Sequence, residues 1–280
     1  STYISTLYEQ KKAGETRAIS AAVLEMSRNF SELRRFRKND YFSEARARSA
    51  YWSYFAPRNI GRLSFLLDQL ESEGHLDEIP QKPYVVDLGS GPLVGVAAFA
   101  LRFAQSDARF LAVDQSRQIL SEGRAYFSQF FPREKMPVQI VSGNLKGSIK
   151  KWGSRTPADL VIVANVLNEF GAPKRSMSAR INFVEQVQSF VKPGGYLLLV
   201  EPAQRVASQG LSLLRDAWRG GKKMSLKAPC MGLHQCPMGM HKSSWCHTSF
   251  NWEQPEYLTT LMGHIGFEPN PVSLSYLLWQ

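Results

Sequence analysis

Two groups of residues have the types and spacing to do chemistry. The first is Asp87-Leu88-Gly89-Ser90-Gly91-Pro92-Leu93-Val94-Gly95, which follows the apolar Tyr84-Val85-Val86 and precedes an apolar stretch from Val96 to Phe103. Strand, glycine turn and helix in that order open a nucleotide-type α/β unit; glycine lets the backbone turn sharply and a ligand come close. A dinucleotide turn places its third glycine three residues after its second, against the pyrophosphate. That place is position 94, which is Val, and Asp87 would repel a phosphate while suiting a cation. The pattern argues for a cofactor with no phosphate and a positive centre.

The later strand ends supply polar groups to the same region. Phe110–Val113 ends at Asp114, followed by Gln115, and an acid there can accept both hydroxyls of a ribose. Val138–Val141 ends in Ser142-Gly143-Asn144, where an amide can donate to and accept from an adenine edge. Leu160–Ala164 ends at Asn165, and Tyr196–Val200 ends at Glu201-Pro202. The cofactor-binding set read from the sequence is Asp87, Gly89, Ser90, Gly91, Gly95, Asp114, Gln115, Asn144 and Asn165.

The second group is Pro229-Cys230, Cys236-Pro237 and Trp245-Cys246-His247, which holds all 3 cysteines of the chain. Thiolates in a proline-punctuated loop suit a metal, because a loop can wrap the ion. Zinc would take three Cys and one His, with His247 or His234 as the fourth ligand, whereas a four-iron cluster asks for four thiolates. Cys230, Cys236, Cys246 and His247 are the expected ligands, and zinc or an iron–sulfur cluster the expected occupant.

The elements that must position these residues alternate. Strands at Tyr84–Val86, Phe110–Val113, Val138–Val141, Leu160–Ala164 and Tyr196–Val200, with helices between them, predict an α/β, doubly wound, mostly parallel sheet. Val272 to Trp279 reads as a closing strand. Ahead of the sheet, Ala18 to Met26 and Ile60 to Leu70 have helical periodicity. The polar run Glu71 to Pro83 divides an N-terminal helical region, 1–80, from a ligand-binding domain, 81–280, with the cysteine loop inserted at about 222–251.

The chain has 280 residues, 44% of them hydrophobic, and a formal net charge of +10. That balance describes a globular protein inclined to polyanionic partners. The stretch from Arg28 to Arg62 mixes Arg34, Arg35, Arg37, Lys38, Arg46, Arg48 and Arg58 with Phe30, Phe36, Tyr41, Phe42, Tyr51, Trp52, Tyr54 and Phe55. Such a mixture suits looped or single-stranded RNA, or a helical cap whose aromatics pack inward. Pro57 reads as a turn within it. No apolar run approaches the roughly 20 residues of a membrane span, so no membrane partner is expected.

Asp87-x-Gly89-x-Gly91, Asp114 and Lys192-Pro193-Gly194-Gly195-Tyr196 resemble class I S-adenosylmethionine-dependent methyltransferases. The resemblance implies a seven-stranded Rossmann-like sheet and S-adenosylmethionine as cofactor, with the glycine turn at the methionine part, Asp114 on the ribose and Asn144 flanking the adenine. Ala228-Pro229-Cys230, Cys236-Pro237, Trp245-Cys246-His247-x-Ser249, Val166-Leu167-Asn168-Glu169, Glu201-Pro202 and Ser275-Tyr276-Leu277 resemble the mitochondrial and bacterial ribosomal small-subunit assembly-factor family of methyltransferase-like proteins. That resemblance implies association with small-subunit ribosomal RNA and a cysteine-bound iron–sulfur cluster. In the family a fourth cysteine follows the last strand, and the sequence ends at Gln280 without it.

Three functions follow as expectations. The first is an RNA methyltransferase, acting mainly by alignment of nucleophile and methyl, so that no catalytic residue is assigned. The second is a non-catalytic ribosome-assembly factor that uses the fold and a metal site to bind RNA. The third is a small-molecule methyltransferase. The expected compartment is the cytoplasm, with the mitochondrial matrix as the alternative.

Overall fold

The computed structural model describes residues 2–9, 16–31, 41–145, 156–218, 224–231, 234–239, 241 and 243–280. Among them, eight strands form one sheet. They are β1 (Tyr84–Leu88), β2 (Arg109–Asp114), β3 (Val138–Ser142), β4 (Ala158–Ala164), β5 (Val191–Pro202), β6 (Leu226–Ala228), β7 (Thr248–Phe250) and β8 (Val272–Trp279). The order is β3-β2-β1-β4-β5-β8-β6, with β7 pairing β8 off this path. The pairs from β3 through β5 are parallel, and β8 lies antiparallel to β5. The order reverses beside β1, so the carboxyl ends of β1 and β4 open a crevice between them.

Alternation along each strand builds two cores. Val85, Phe110, Leu160, Leu198 and Leu278 face one side, and Val86, Leu111, Val161, Leu197 and Trp279 face the other. The first face is covered by α4 (Ala56–Ser72), α5 (Val94–Arg102) and α6 (Arg117–Phe127), and the second by α7 (Pro173–Gln188) and α8 (Arg205–Trp218). The expected closing strand is β8, and its side chains alternate: Leu274, Tyr276 and Leu278 join the first core, and Leu277 and Trp279 the second.

The N-terminal helices are α1 (Thr2–Glu9), α2 (Thr16–Ser31) and α3 (Ala45–Ala50), and α3 continues through a π-helical turn, Tyr51–Phe55, into α4. Of these, α2 and the turn that leads into α4 close over the crevice. Together with α9 (Glu256–Ile265), α2 buries a third cluster that includes Ile19, Val23, Ala50, Tyr54 and Met262.

One expectation is corrected, and one pair of alternatives is narrowed. Pro57 is not a turn: it lies in the first turn of α4, directly after the wider π-helical turn, where its missing N–H breaks no regular ladder. Of the two readings of the basic, aromatic stretch, the described rings fit the helical cap that packs inward. Phe42 meets Tyr51 edge-on at 4.9 Å, Phe30 meets Phe55 at 5.1 Å, and Trp52 Nε1 donates to Glu122 Oε2 of α6 at 3.1 Å. Burying rings of that size against the sheet's helices outweighs leaving them wet. Arg48 joins this packing, with Nε on Glu122 Oε1 at 3.1 Å and Nη1 on the Phe42 carbonyl at 2.7 Å. Arg34, Arg35, Phe36, Arg37 and Lys38 lie outside the described residues. The short strands β6 and β7, which flank the cysteine loop, were not expected, because three residues carry too little pattern to read.

Candidate functional site

The turn after β1 is built around Asp87. Its carboxylate, 1% exposed, accepts from Ser90 Oγ at 2.5 Å, Gly95 N at 2.9 Å and Val96 N at 3.2 Å. Gly95 and Val96 open α5, so Asp87 satisfies N–H groups that have no partner inside the helix and places a negative charge at its positive end. Burial pushes this carboxyl up to about 6, against the pull of those three donors. Gly95 is needed for this contact: a Cβ there would stand 2.6 Å from the Asp87 carboxyl carbon. Gly89 has φ +78°, and a Cβ on it would meet Val166 Cγ2 at 2.2 Å.

In front of the turn lies a cavity of about 450 Å³. Asp114 forms part of its wall and is tied to the turn, with Oδ2 accepting from Gly91 N at 2.9 Å and Oδ1 from Ser116 N at 3.0 Å. Each carboxylate oxygen keeps a second lone pair, which suffices for two further hydroxyl donors. Burial raises Asp114 to about 6, and the nearby charges of Glu169 and Asp87 push the same way. At the end of β4, Asn165 adopts φ +61° and donates its N–H to the Val200 carbonyl at 2.8 Å. A non-glycine residue in that region marks a strained strand end of the sort found where side chains must be aimed at a ligand. Glu201, 1% exposed, holds the following segment by accepting from Leu167 N at 2.9 Å and Asn168 N at 3.2 Å.

The structure therefore divides the residues expected at the cofactor. Gly89, Gly91, Asp114, Gln115, Asn144 and Asn165 line the cavity. Asp87, Ser90 and Gly95 form the frame behind it, because their polar atoms are used in holding the turn to α5. Residues that sequence reasoning missed come from the N-terminal helix: Tyr51, Phe55, Arg58, Asn59 and Arg62 line the opposite wall. Their spacing puts them on one helical face, which was the available signal. Tyr51 lies over Gly91, with its hydroxyl 3.7 Å from where a Cβ would be, and burial pushes its phenol well above the usual range. Glu169 is a wall residue too.

The three cysteines share one neighbourhood. Burial raises the Cys246 thiol first, then the charges of Cys236 and Cys230 add to it, and Arg215 opposes them. Arg215, near the end of α8, bonds to Cys230, to the His234 carbonyl at 2.8 Å and to Asp216. Asp216 in turn accepts the Cys236 N–H at 2.9 Å. His247 Nδ1 faces the Trp245 carbonyl at 3.0 Å, which leaves Nε2 as its free nitrogen. Among the described residues, no three His, Cys, Asp or Glu side chains form a metal-holding group.

This strand order, with the ligand-type cavity at the parallel strand ends, is that of a class I methyltransferase fold. A structure of the plantazolicin methyltransferase BpumL with SAH overlays at a TM-score of 0.50 with 10% identity, covering 100% of this chain and 99% of that one. A second BpumL structure, with a pentazolic desmethylPZN analog and SAH, gives 0.51 with 9% identity over 96% of this chain and 99% of that one. TrmN from Thermus thermophilus gives 0.48 with 13% identity over 82% of this chain, and only 53% of TrmN is covered, about half its length. No curated protein matches. The chain belongs to the Rsm22 family, described as the mitochondrial small ribosomal subunit Rsm22, whose model matches residues 19–258.

Proposed function

We propose that this protein is a methyltransferase-like factor of the small ribosomal subunit that binds S-adenosylmethionine in the cavity at the ends of β1, β2 and β4. The observation that carries the reading is Asp114 locked to Gly91 in the wall of that cavity, with acceptor capacity left over for a ribose. Asn144, Asn165 and Glu169 line the same cavity; in this reading Asn144 flanks the adenine, and Asn165 and Glu169 face the methyl acceptor. Methyl transfer from a sulfonium neutralises charge, so positioning by such groups suffices without a strong base. Family membership and a net charge of +10 favour ribosomal RNA as the polyanionic partner, and the family's description favours the mitochondrial matrix over the cytoplasm.

The non-catalytic reading has an observation of its own. Asn168 lines the cavity, but its side-chain amide N–H donates to the Asn165 carbonyl at 3.1 Å and Glu201 accepts its backbone N–H, so its N–H groups serve the local backbone and only Oδ1 is left without a partner. Tritiated-methyl transfer to precursor small-subunit RNA, with Asp114→Ala as control, decides between the two. Transfer abolished by the variant supports the enzyme; tight cofactor binding without transfer leaves the assembly factor. Absence of cofactor binding overturns the cofactor site and with it the enzyme.

For the cysteine loop the proposal is a bound metal held by Cys230, Cys236 and Cys246, with the free Nε2 of His247 as the fourth ligand. An iron–sulfur cluster or zinc would supply a rigid fold to the loop. Domain organisation is proposed as 1–80 for the helical cover and 81–280 for the cofactor domain.

A further inference from the structure

Arg58 and Arg62 lie one turn apart on α4, and both line the cavity. Arg58 is 6% exposed and Arg62 half-buried, and an arginine so placed is ordinarily matched by a carboxylate, because a charge withdrawn from water without a counter-ion is costly. Here the partners are neutral. Arg58 Nη1 donates to Gln254 Oε1 at 3.2 Å and meets Met262 Sδ at 2.7 Å, and its guanidinium lies 5.6 Å from the centre of the Tyr54 ring. Arg62 Nη1 donates to Asn59 Oδ1 at 3.2 Å. The Nε of each is buried with no hydrogen-bond partner, and no ion pair joins either to an acid among the described residues. Glu201, which lines a narrower recess with Arg62, uses its two oxygens on Leu167 and Asn168.

We propose that Arg58 and Arg62 form an oxyanion subsite inside the cavity, which takes one carboxylate or one phosphate group of a ligand. Two guanidiniums a turn apart can hold a single oxyanion between them, and each has a donor left for it. The mutual repulsion of the pair supports this reading: burial and the Arg58 charge lower Arg62 to about 10, a cost that an intervening anion removes. The opposite wall carries Asp114 and Glu169, so the cavity has an acidic end for hydroxyls or a cation and a basic end for an anion.

Which ligand brings the anion rests on the proposed function. It is the amino-acid carboxylate of the cofactor or a phosphate of the nucleic acid, and the two are separable. The full chain and its Arg58→Gln and Arg62→Gln variants are titrated with S-adenosylhomocysteine, with 5′-methylthioadenosine, which lacks the amino-acid group, and with inorganic phosphate. A carboxylate source predicts that either variant weakens S-adenosylhomocysteine at least tenfold and leaves methylthioadenosine unchanged. A phosphate source predicts loss of phosphate binding with both adenosyl ligands unchanged. Melting without ligand provides an independent readout: removing an unmatched buried charge leaves the melting temperature equal or higher, whereas removing a structural arginine lowers it. Equal weakening of both adenosyl ligands, unchanged binding of all three, or a lowered melting temperature in both variants overturns the subsite. If the unaltered chain binds neither adenosyl ligand, the cofactor reading fails while the phosphate arm still tests the arginines.

Discussion

The backbone N–H of Gly91 donates to Asp114 Oδ2 at 2.9 Å, which joins the turn after β1 to the acid at the end of β2. A ligand that touches Asp114 therefore meets a wall already fixed by the glycine turn. Asp114→Ala is expected to weaken S-adenosylhomocysteine by at least about 100-fold, since two hydrogen bonds to a charged acceptor are worth about 1.5–3 kcal/mol each. Isothermal calorimetry reads this directly, and an unchanged affinity would remove Asp114 from the site.

The same acid makes binding pH-dependent. Only the ionised carboxylate accepts both hydroxyls while keeping Gly91 and Ser116, and burial has moved its pKa up to about 6. Affinity is expected to fall about tenfold per unit below pH 6. A flat profile between pH 5 and pH 7 contradicts this.

Stability runs the opposite way. Asp87 and Asp114 titrate near 6 in the fold against an ordinary 3.8, so the folded chain holds more protons across that window. Their contribution is complete below about pH 4 and is lost as pH rises through about 6. Urea midpoints are expected to decline over that range, and Asp87→Asn to flatten the decline. A decline of equal slope in the variant would assign the effect to other groups.

Gly95→Ala is expected to cost about 1–3 kcal/mol, the usual penalty of overpacking. The new methyl would stand 2.6 Å from the Asp87 carboxyl carbon and displace the group that caps α5. Urea denaturation measures it, with the exposed Gly263, which has open space around its Cβ position, as the control.

Glu201→Ala would orphan the buried N–H groups of Leu167 and Asn168, at about 1–3 kcal/mol each. Glu201→Gln keeps a carbonyl acceptor and is expected to recover part of the loss. Equal melting temperatures for the two variants would show that the acceptor is immaterial.

For the cysteine loop, anaerobically purified protein is expected to carry a stoichiometric metal that is lost in Cys230→Ser. Colour would identify iron–sulfur, and colourless protein with zinc would identify the other metal. Metal-free protein with an intact fold would reject the site.

The sequence determined the strands and the turn, because period-two apolar runs and a Gly-x-Gly after an acid report local backbone needs that hold in any surroundings. It also picked out Asp114, Asn144 and Asn165, since strand ends in a parallel sheet point to one edge. Tertiary structure decided which of these polar atoms remain for a ligand. Asp87 looked like a ligand group and is a helix cap, because the N–H groups of Gly95 and Val96 reach it once the turn folds back. Arg58 and Arg62 read as part of a basic surface and instead line the cavity, because α4 packs its apolar stripe on the sheet and carries their face over the strand ends. Linear charge shows that a cation is present; only the packing of a helix shows whether it faces water or a buried site.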